Sequence, residues 1–452
     1  MAEAGVPRRA LVVGLGVTGF AVAGALLAHD VTVVAVDDRP TPELRARSSD
    51  LGIELVEVAD PATLRALLVE SDAVFPSPGV PESHPVFGLA DAAGVPVRSE
   101  FDLAAAWDDR PCLAITGTDG KTTVTMMVTA MLEASGIRAV SAGNVEVPLV
   151  AAIVDPAVDV FVVEASSFRL ARATAFRPRV ATWLNVADDH QDVHASRAGY
   201  HEAKARIWRN LTMDDLAVAN VDDAIVMGHA TAVPRLQTFG LGPAGADWHV
   251  ELGRLRGPED LDLIGVGELR RAFPHDIANA LAAAATASGG GATDEAIRET
   301  LRAFRSLPHR VELVGEAGGV RFFDDSKATA PHATLAAISG FPSAVLIAGG
   351  RNKGLDLSEL VTATPHTRAV VAIGEAASEV ADAFVGHRPV VVATSMDDAV
   401  RAARRLAEPG DVVLLSPACA SFDWYASYSE RGDDFQRAVR DAVGDALVSP
   451  SA

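Results

Sequence analysis

The sequence predicts an α/β protein of three domains, each built around a mainly parallel sheet. Three observations carry that prediction. Short apolar runs alternate with helical patterns along the whole chain, glycine turns follow directly after strand-like runs, and 452 residues exceed what one ordinary domain holds. Forty-nine per cent apolar residues supply ample core and exclude wholesale disorder. The net charge of −21 argues against nucleic acid or an anionic membrane as the main partner, although a local pocket on an acidic protein can still be basic. The two cysteines, Cys112 and Cys419, lie far apart, which fits a reducing compartment and leaves no disulfide framework or cysteine-built zinc site.

The first unit shows strand-like runs at 10–13, 31–36 and 73–75. Arg8 and Arg9 ahead of the apolar run 10–28 imitate an export signal, but Gly14, Gly16, Gly19 and Gly24 interrupt it and a second strand follows. A βαβ start explains the segment better, and with no stretch elsewhere reading as a membrane span the expected location is the cytoplasm. Gly14 to Gly19 then form a glycine turn between strand and helix, with Asp37 and Asp38 ending the next strand where a ribose-binding acid belongs. Read alone, this turn suggests a nicotinamide dehydrogenase, any other binder of a nucleotide diphosphate, or glycines needed only for packing. Ser77-Pro78-Gly79 adds a second loop on the same sheet edge.

The second unit has runs at 113–116, 160–163, 180–184 and 216–219 and a helical pattern at 277–287 that ends in Gly289-Gly290-Gly291. Gly117-Thr118-Asp119-Gly120-Lys121-Thr122-Thr123 follows its first strand. Backbone N–H groups there can wrap phosphate oxygens, Lys121 can reach the β- and γ-phosphates, and Thr122 offers a hydroxyl to Mg²⁺. The spacing is G-x-x-G-K, one residue shorter than the common phosphate loop. Glu164 ends one run and His190 comes shortly after another, both just past strand ends where α/β sheets place their chemistry. Singly, His190 reads as a loop histidine and Glu164 as a capping carboxylate; together with Lys121 they suggest a metal-nucleotide site.

Only four of the 39 basic residues are lysine: Lys121, Lys204, Lys327 and Lys353. Arginine has taken nearly every other cationic position, so a surviving lysine points to a need for an amine rather than a guanidinium fork. Lys204 has Ile207, Trp208 and Leu211 at helical spacing, which places it on an apolar stripe. Two accounts stay open there, a snorkelling side chain and a buried amine available for chemistry. The third unit shows runs at 320–323, 344–347, 369–373 and 412–415. Boundaries near Ser99 and Ser306 give a first domain at 1–99, a central domain at 100–306 and a C-terminal domain at 307–452.

With these residues in place, the chain from Gly14 to Phe435 resembles the Mur ligases. The resemblance implies a Rossmann-like N-terminal domain for a UDP-sugar peptide, a central P-loop-type ATPase domain with a parallel sheet, and a Rossmann-like C-terminal domain closing on ATP and the incoming amino acid. Gly117 to Thr123 match the family's ATP loop, Glu164 to Phe168 its metal-binding strand end and Asn185 to His190 its histidine motif. Lys204 falls where the family carries a lysine carbamylated by CO₂, and Thr122, Glu164, His190 and that carbamate are implied to hold two Mg²⁺ ions. Asn279 is implied at the adenine, Arg310 at phosphate, Asp325 at the ribose, and Lys327 also on ATP. The UDP substrate is implied to meet Gly16, Val17, Thr18, Asp37, Asp38, Arg39, Ser77, Pro78, Gly79, Asn144 and His190. Thr329, Lys353, Ser421, Phe422 and Tyr428 would border the amino acid.

Residues 415–423 and 431–435 look like the member that adds D-glutamate to UDP-N-acetylmuramoyl-L-alanine, acting as a monomer on small molecules through an acyl phosphate. Asp119, Glu146, Asp276, Ala330 and Tyr428 depart from the family pattern, which leaves L-glutamate or another amino acid as an alternative. A dehydrogenase is the rival class; it leaves the four lysine motifs unexplained.

Overall fold

The computed structural model describes residues 7–57, 59–145, 147–187, 196–242, 245–305, 307–444 and 447–448. They fall in two compact units: one runs to residue 304 apart from 187–191 and 273–275, and the other holds those two pieces with 305 onward.

The first unit opens with four parallel strands, β1 (Arg9–Val13), β2 (Thr32–Asp37), β3 (Glu54–Glu57) and β4 (Ala73–Pro76), in the order β3-β2-β1-β4. Helices cover both faces, so β1 from Ala10 to Val13 and the middle of β2 are buried and read as continuous apolar runs rather than alternations. The edge strand β3, Glu-Leu-Val-Glu, carries too little apolar sequence to have been recognised.

Six further parallel strands follow in the same unit: β5 (Cys112–Thr116), β6 (Ala139–Gly143), β7 (Val160–Glu164), β8 (Val180–Trp183), β9 (Leu216–Asn220) and β10 (Leu236–Phe239). Their order is β10-β9-β8-β5-β7-β6, which puts β5 at the centre between β7 and β8. Ile115 stands opposite Glu164, and Thr116 opposite Trp183. The phosphate loop, Glu164 and Asn185 therefore leave one edge of the sheet side by side. A small antiparallel sheet, β11 (His249–Glu251), β12 (Arg254–Gly257) and β13 (Leu261–Gly265), was absent from the sequence reading. The helix read at 277–287 runs from Pro274 to Gly289 and buries Ala280, Leu281 and the alanines from Ala282 to Ala285.

The second unit holds β14 (Glu312–Ala317), β15 (Val320–Asp324), β16 (Ala344–Gly349), β17 (Thr367–Ile373), β18 (Val390–Val392) and β19 (Val412–Leu415), in the order β14-β15-β19-β16-β17-β18. All pairings are parallel except β14 with β15, a hairpin whose first strand is too polar to stand out. β19, last in sequence, lies between β15 and β16, so the loops after Asp324, Gly349 and Leu415 share one sheet edge. Among the described residues, no helix is long and apolar enough to cross a membrane.

Candidate active site

The loop after β5 is built for backbone recognition. Gly120 adopts φ 84°, and a Cβ there would collide with the Asn279 amide oxygen, so the position needs glycine for both conformation and close approach. Gly120 is also the N-cap of the helix Lys121–Ala134 and supplies no side-chain cap, so this is the kind of helix start that can receive an anion. Asn185 pins the loop: its Oδ1 accepts from the N–H groups of Thr118 and Asp119 at 2.9 Å each, and its Nδ2 donates to the Asp119 carbonyl at 3.2 Å. In the sequence Asn185 stands out only as the start of the histidine motif. The Lys121 ammonium donates to the carbonyls of Gly117 (2.9 Å) and Thr118 (2.8 Å).

Lys204 reaches the same place. It is 1% exposed and its Nζ donates to the Gly117 carbonyl at 2.6 Å. That burial excludes the snorkelling account. The ring of Tyr200, one helical turn earlier, lies 4.5 Å beneath the ammonium, and its hydroxyl bonds Thr118 Oγ1 at 3.0 Å. Tyr200 was missed by sequence reasoning, though its i−4 spacing from Lys204 was the available signal. The helix itself is shorter than the apolar stripe implied. It spans Arg197–Ala205 and passes into a 3₁₀ turn at Arg206–Trp208, which buries Ile207 and Trp208 by a tighter route. His190 lies outside the described residues, as does Glu146.

Glu164 is 2% exposed and only half satisfied. Its Oε1 accepts from Asn144 Nδ2 at 3.0 Å, while Oε2 has no hydrogen-bond partner among the described residues. A buried orphan carboxylate oxygen at a strand end, beside an anion-binding loop, is what a divalent cation would satisfy. The uncapped helix start, Lys121 and this carboxylate together fit a magnesium nucleotide. Asn144 Oδ1 in turn accepts from Arg169 Nη1 at 2.7 Å, and Arg169 also donates to Glu100 Oε1 (3.1 Å) and Thr18 Oγ1 (2.8 Å). Burial pushes the Glu100 carboxyl up, against the opposing pull of Arg169 and of the Val150 and Leu149 N–H groups.

The glycine turn after β1 is held by Ser77, whose Oγ donates to the Gly14 carbonyl at 2.6 Å. Gly19 packs on that same carbonyl, where no Cβ fits, whereas a Cβ at Gly16 or Gly79 would meet open space. The helix Val17–Ala28 has Gly16 as N-cap and again no side-chain cap. The two oxygens of Asp37 accept from the N–H groups of Leu15 (2.8 Å) and Arg39 (2.9 Å), so it also shapes the turn. Asp38 is half exposed and lies 3.3 Å from His84.

In the second unit, Arg310 stands between His309 (φ 59°) and Val311 (φ 47°), both in the left-handed region. His309 Nδ1 meets Asp324 Oδ2 at 2.7 Å, and the hydrogen bond with Asp324 raises the imidazole's pKa more than burial lowers it. Asp325 accepts from Ser416 Oγ (2.7 Å) and Val311 N–H (3.2 Å), yet burial pushes its carboxyl up to about 7. Lys327 Nζ lies 4.0 Å over the Tyr428 ring. Ser421 is buried, Phe422 and Lys353 are exposed, and Thr329 is half-buried. Asp276, where the family pattern has asparagine, pairs with Arg271 at 2.5 Å.

Three α/β sheets, a phosphate loop and a bare metal-type carboxylate at the loop's edge define a nucleotide-dependent enzyme of the phosphoryl-transfer kind. Comparison with known proteins narrows that class. Residues 8–99 match the Mur ligase MurD-like N-terminal domain, 115–287 the Mur ligase middle domain, and 309–419 the Mur ligase glutamate ligase domain. A protein of Frankia casuarinae named UDP-N-acetylmuramoylalanine--D-glutamate ligase is 43% identical, over 98% of this chain and 95% of its own. One of the same name from Thermobifida fusca is 39% identical, over 97% and 99%. Among solved structures, MurF of Acinetobacter baumannii superposes with a TM-score of 0.61 at 18% identity, covering 95% of this chain and 90% of its own. MurC of Thermotoga maritima gives 0.58 at 19%, covering 96% and 99%. These two support the fold. The chain belongs to the Mur ligase family.

Proposed function

We propose that this chain is an ATP-dependent amide ligase that adds D-glutamate to UDP-N-acetylmuramoyl-L-alanine in peptidoglycan precursor synthesis. The observation that carries the reading is the meeting of Lys121 and Lys204 on the Gly117 carbonyl, at the sheet edge where Glu164 Oε2 has no hydrogen-bond partner among the described residues. Relatives bearing that enzyme's name over nearly their whole length support the choice of substrates.

In the reaction, an oxygen of the alanyl carboxylate attacks the γ-phosphorus of ATP, the bond to ADP breaks, and an acyl phosphate forms. The amine of D-glutamate then attacks the acyl carbon and loses a proton, the C–O bond breaks, and phosphate departs. Lys121 and Arg310 bind and orient the phosphates, and Asn279, packed on Gly120, borders the nucleotide with Asp325 and Lys327. Thr122, Glu164, His190 and Lys204 as its carbamate would hold two Mg²⁺ ions, which neutralise phosphate charge when bound. Carbamylation joins the Lys204 nitrogen to CO₂ with loss of a proton, which a guanidinium does not undergo. Gly16, Val17, Thr18, Asp37, Asp38, Arg39, Ser77, Pro78, Gly79, Asn144 and His190 receive the UDP-sugar, and Asp37 also shapes their turn. Thr329, Lys353, Ser421, Phe422 and Tyr428 receive the amino acid. Domains at 1–99, 100–306 and 307–452 follow this division of substrates.

Release of ADP, measured with each substrate left out in turn, tests the reading. Turnover should require UDP-N-acetylmuramoyl-L-alanine and D-glutamate together. Equal release with L-glutamate would overturn the choice of amino acid, and release independent of the UDP-sugar would overturn the whole assignment.

A further inference from the structure

We propose that Arg169 is a positioning residue tying the diphosphate-binding turn of the first sheet to the metal-binding carboxylate of the middle sheet, an inference that rests on the function proposed above. Arg169 follows β7 on the short helix Ser167–Leu170 and is 6% exposed. Its guanidinium makes three bonds in three directions: Nη2 to Thr18 Oγ1, Nε to Glu100 Oε1 and Nη1 to Asn144 Oδ1. Glu100 neutralises the charge and is itself fixed by the Val150 N–H at 2.9 Å. A buried ion pair alone would need only that contact. The other two bonds lead one into each half of the site.

The bond to Asn144 decides which end of that amide Glu164 meets. With Oδ1 committed to the guanidinium, Asn144 turns its NH₂ to Glu164 and donates to Oε1 at 3.0 Å. A flipped amide would face oxygen to carboxylate and NH₂ to guanidinium, both repulsive. Glu164 is thereby oriented through Oε1 by a neutral donor, and its Oε2, without a hydrogen-bond partner among the described residues, faces no competing contact from Asn144. Lysine at 169 would keep charge but not the three-way fork.

The test uses the full chain with Arg169→Lys and, to avoid stranding a buried carboxylate, the double variant Arg169→Gln with Glu100→Gln. Calorimetry gives the Kd of UDP-N-acetylmuramoyl-L-alanine without metal or nucleotide. Electron paramagnetic resonance gives the Kd of Mn²⁺ on the complex with a non-hydrolysable ATP analogue, and metal-free binding of that analogue serves as the third readout. Both variants should weaken the UDP-sugar and Mn²⁺ by about tenfold or more each, as outer-shell changes do. Metal-free nucleotide binding should stay at wild type, because Asn185 rather than Arg169 holds the phosphate loop. Unchanged affinities, loss of only one of the two, or parallel loss of all three in both variants would overturn the proposal. A wild-type chain that binds Mn²⁺ and nucleotide but not the UDP-sugar would overturn the functional reading itself, and this inference with it.

Discussion

The phosphate loop after β5 and the Arg310–Asp325 region of the second unit serve the same nucleotide under the proposed function, yet they are built by opposite means. At the loop, recognition falls to backbone: an uncapped helix start, Gly120 where no side chain fits, and Asn185 holding two N–H groups in place. Around Asp325 it falls to buried charged side chains, with Asp324 fully buried against His309 and Asp325 against Ser416. Backbone amides do not titrate, while buried carboxylates and imidazoles do. The loop's backbone N–H groups should therefore be indifferent to pH near neutrality, and the Asp325 region of the second unit should not.

The largest effect is expected at the loop, where chemistry converges. Lys204→Ala should lower turnover by on the order of 10³-fold while leaving ATP binding largely intact. Acetate at high concentration should partly restore activity by filling the vacated ligand position, and Lys204→Arg should not be rescued. Near-normal turnover in Lys204→Ala without added carboxylate would break the contrast, since the buried lysine would then serve packing alone.

Next in size, Glu164→Gln should weaken Mn²⁺ binding by roughly 10–100-fold, read by paramagnetic resonance, because a neutral amide replaces the bare oxygen's charge. On the other side of the comparison, Lys353→Arg should raise the KM for glutamate roughly tenfold or more with little change in the KM for ATP. Equal rises in both would remove Lys353 from the amino-acid site.

The smallest effect is the one that separates the two regions by pH. The folded state raises both Asp325, to about 7, and His309, so each binds its proton more tightly than in the unfolded chain. Their contribution to stability is full at low pH and is lost as pH rises, for Asp325 from about 4 through about 7 and for His309 above about 6.5. Asp325→Asn keeps the shape and removes the buried charge. Calorimetric scans should show its Tm about 3 °C above wild type at pH 8, converging at pH 4, with turnover reduced. A Tm gap independent of pH would mean Asp325 does not titrate in this window.

What the sequence disclosed divides along the same line. Backbone-built features announce themselves locally: Gly117 to Thr123 sits in one stretch after an apolar strand, and β5, β16 and β19 are buried on both faces. Polar edge strands such as β3 and β14, and the short β11–β13 sheet with its paired Arg254 and Asp262, carry no apolar run to find. Side-chain networks were hidden for a different reason. Arg169 joins residues 69 and 151 positions away, a closeness fixed only by packing the first sheet on the middle one. The part Asp37 plays in its own turn was hidden likewise, because a carboxylate at a strand end can meet a ligand, hold backbone N–H groups, or do both. Lys204 was recognisable by composition, but the 3₁₀ turn that buries its neighbours was not.

Isotope transfer reaches the central claim most directly. UDP-N-acetylmuramoyl-L-alanine labelled with ¹⁸O in the alanyl carboxylate, incubated with ATP and D-glutamate, yields phosphate for mass analysis. If the carboxylate attacks ATP and the amine then displaces phosphate, one labelled oxygen passes into the released phosphate, in step with formation of the new amide. Amide formation accompanied by unlabelled phosphate, or phosphate release with no amide, would contradict it.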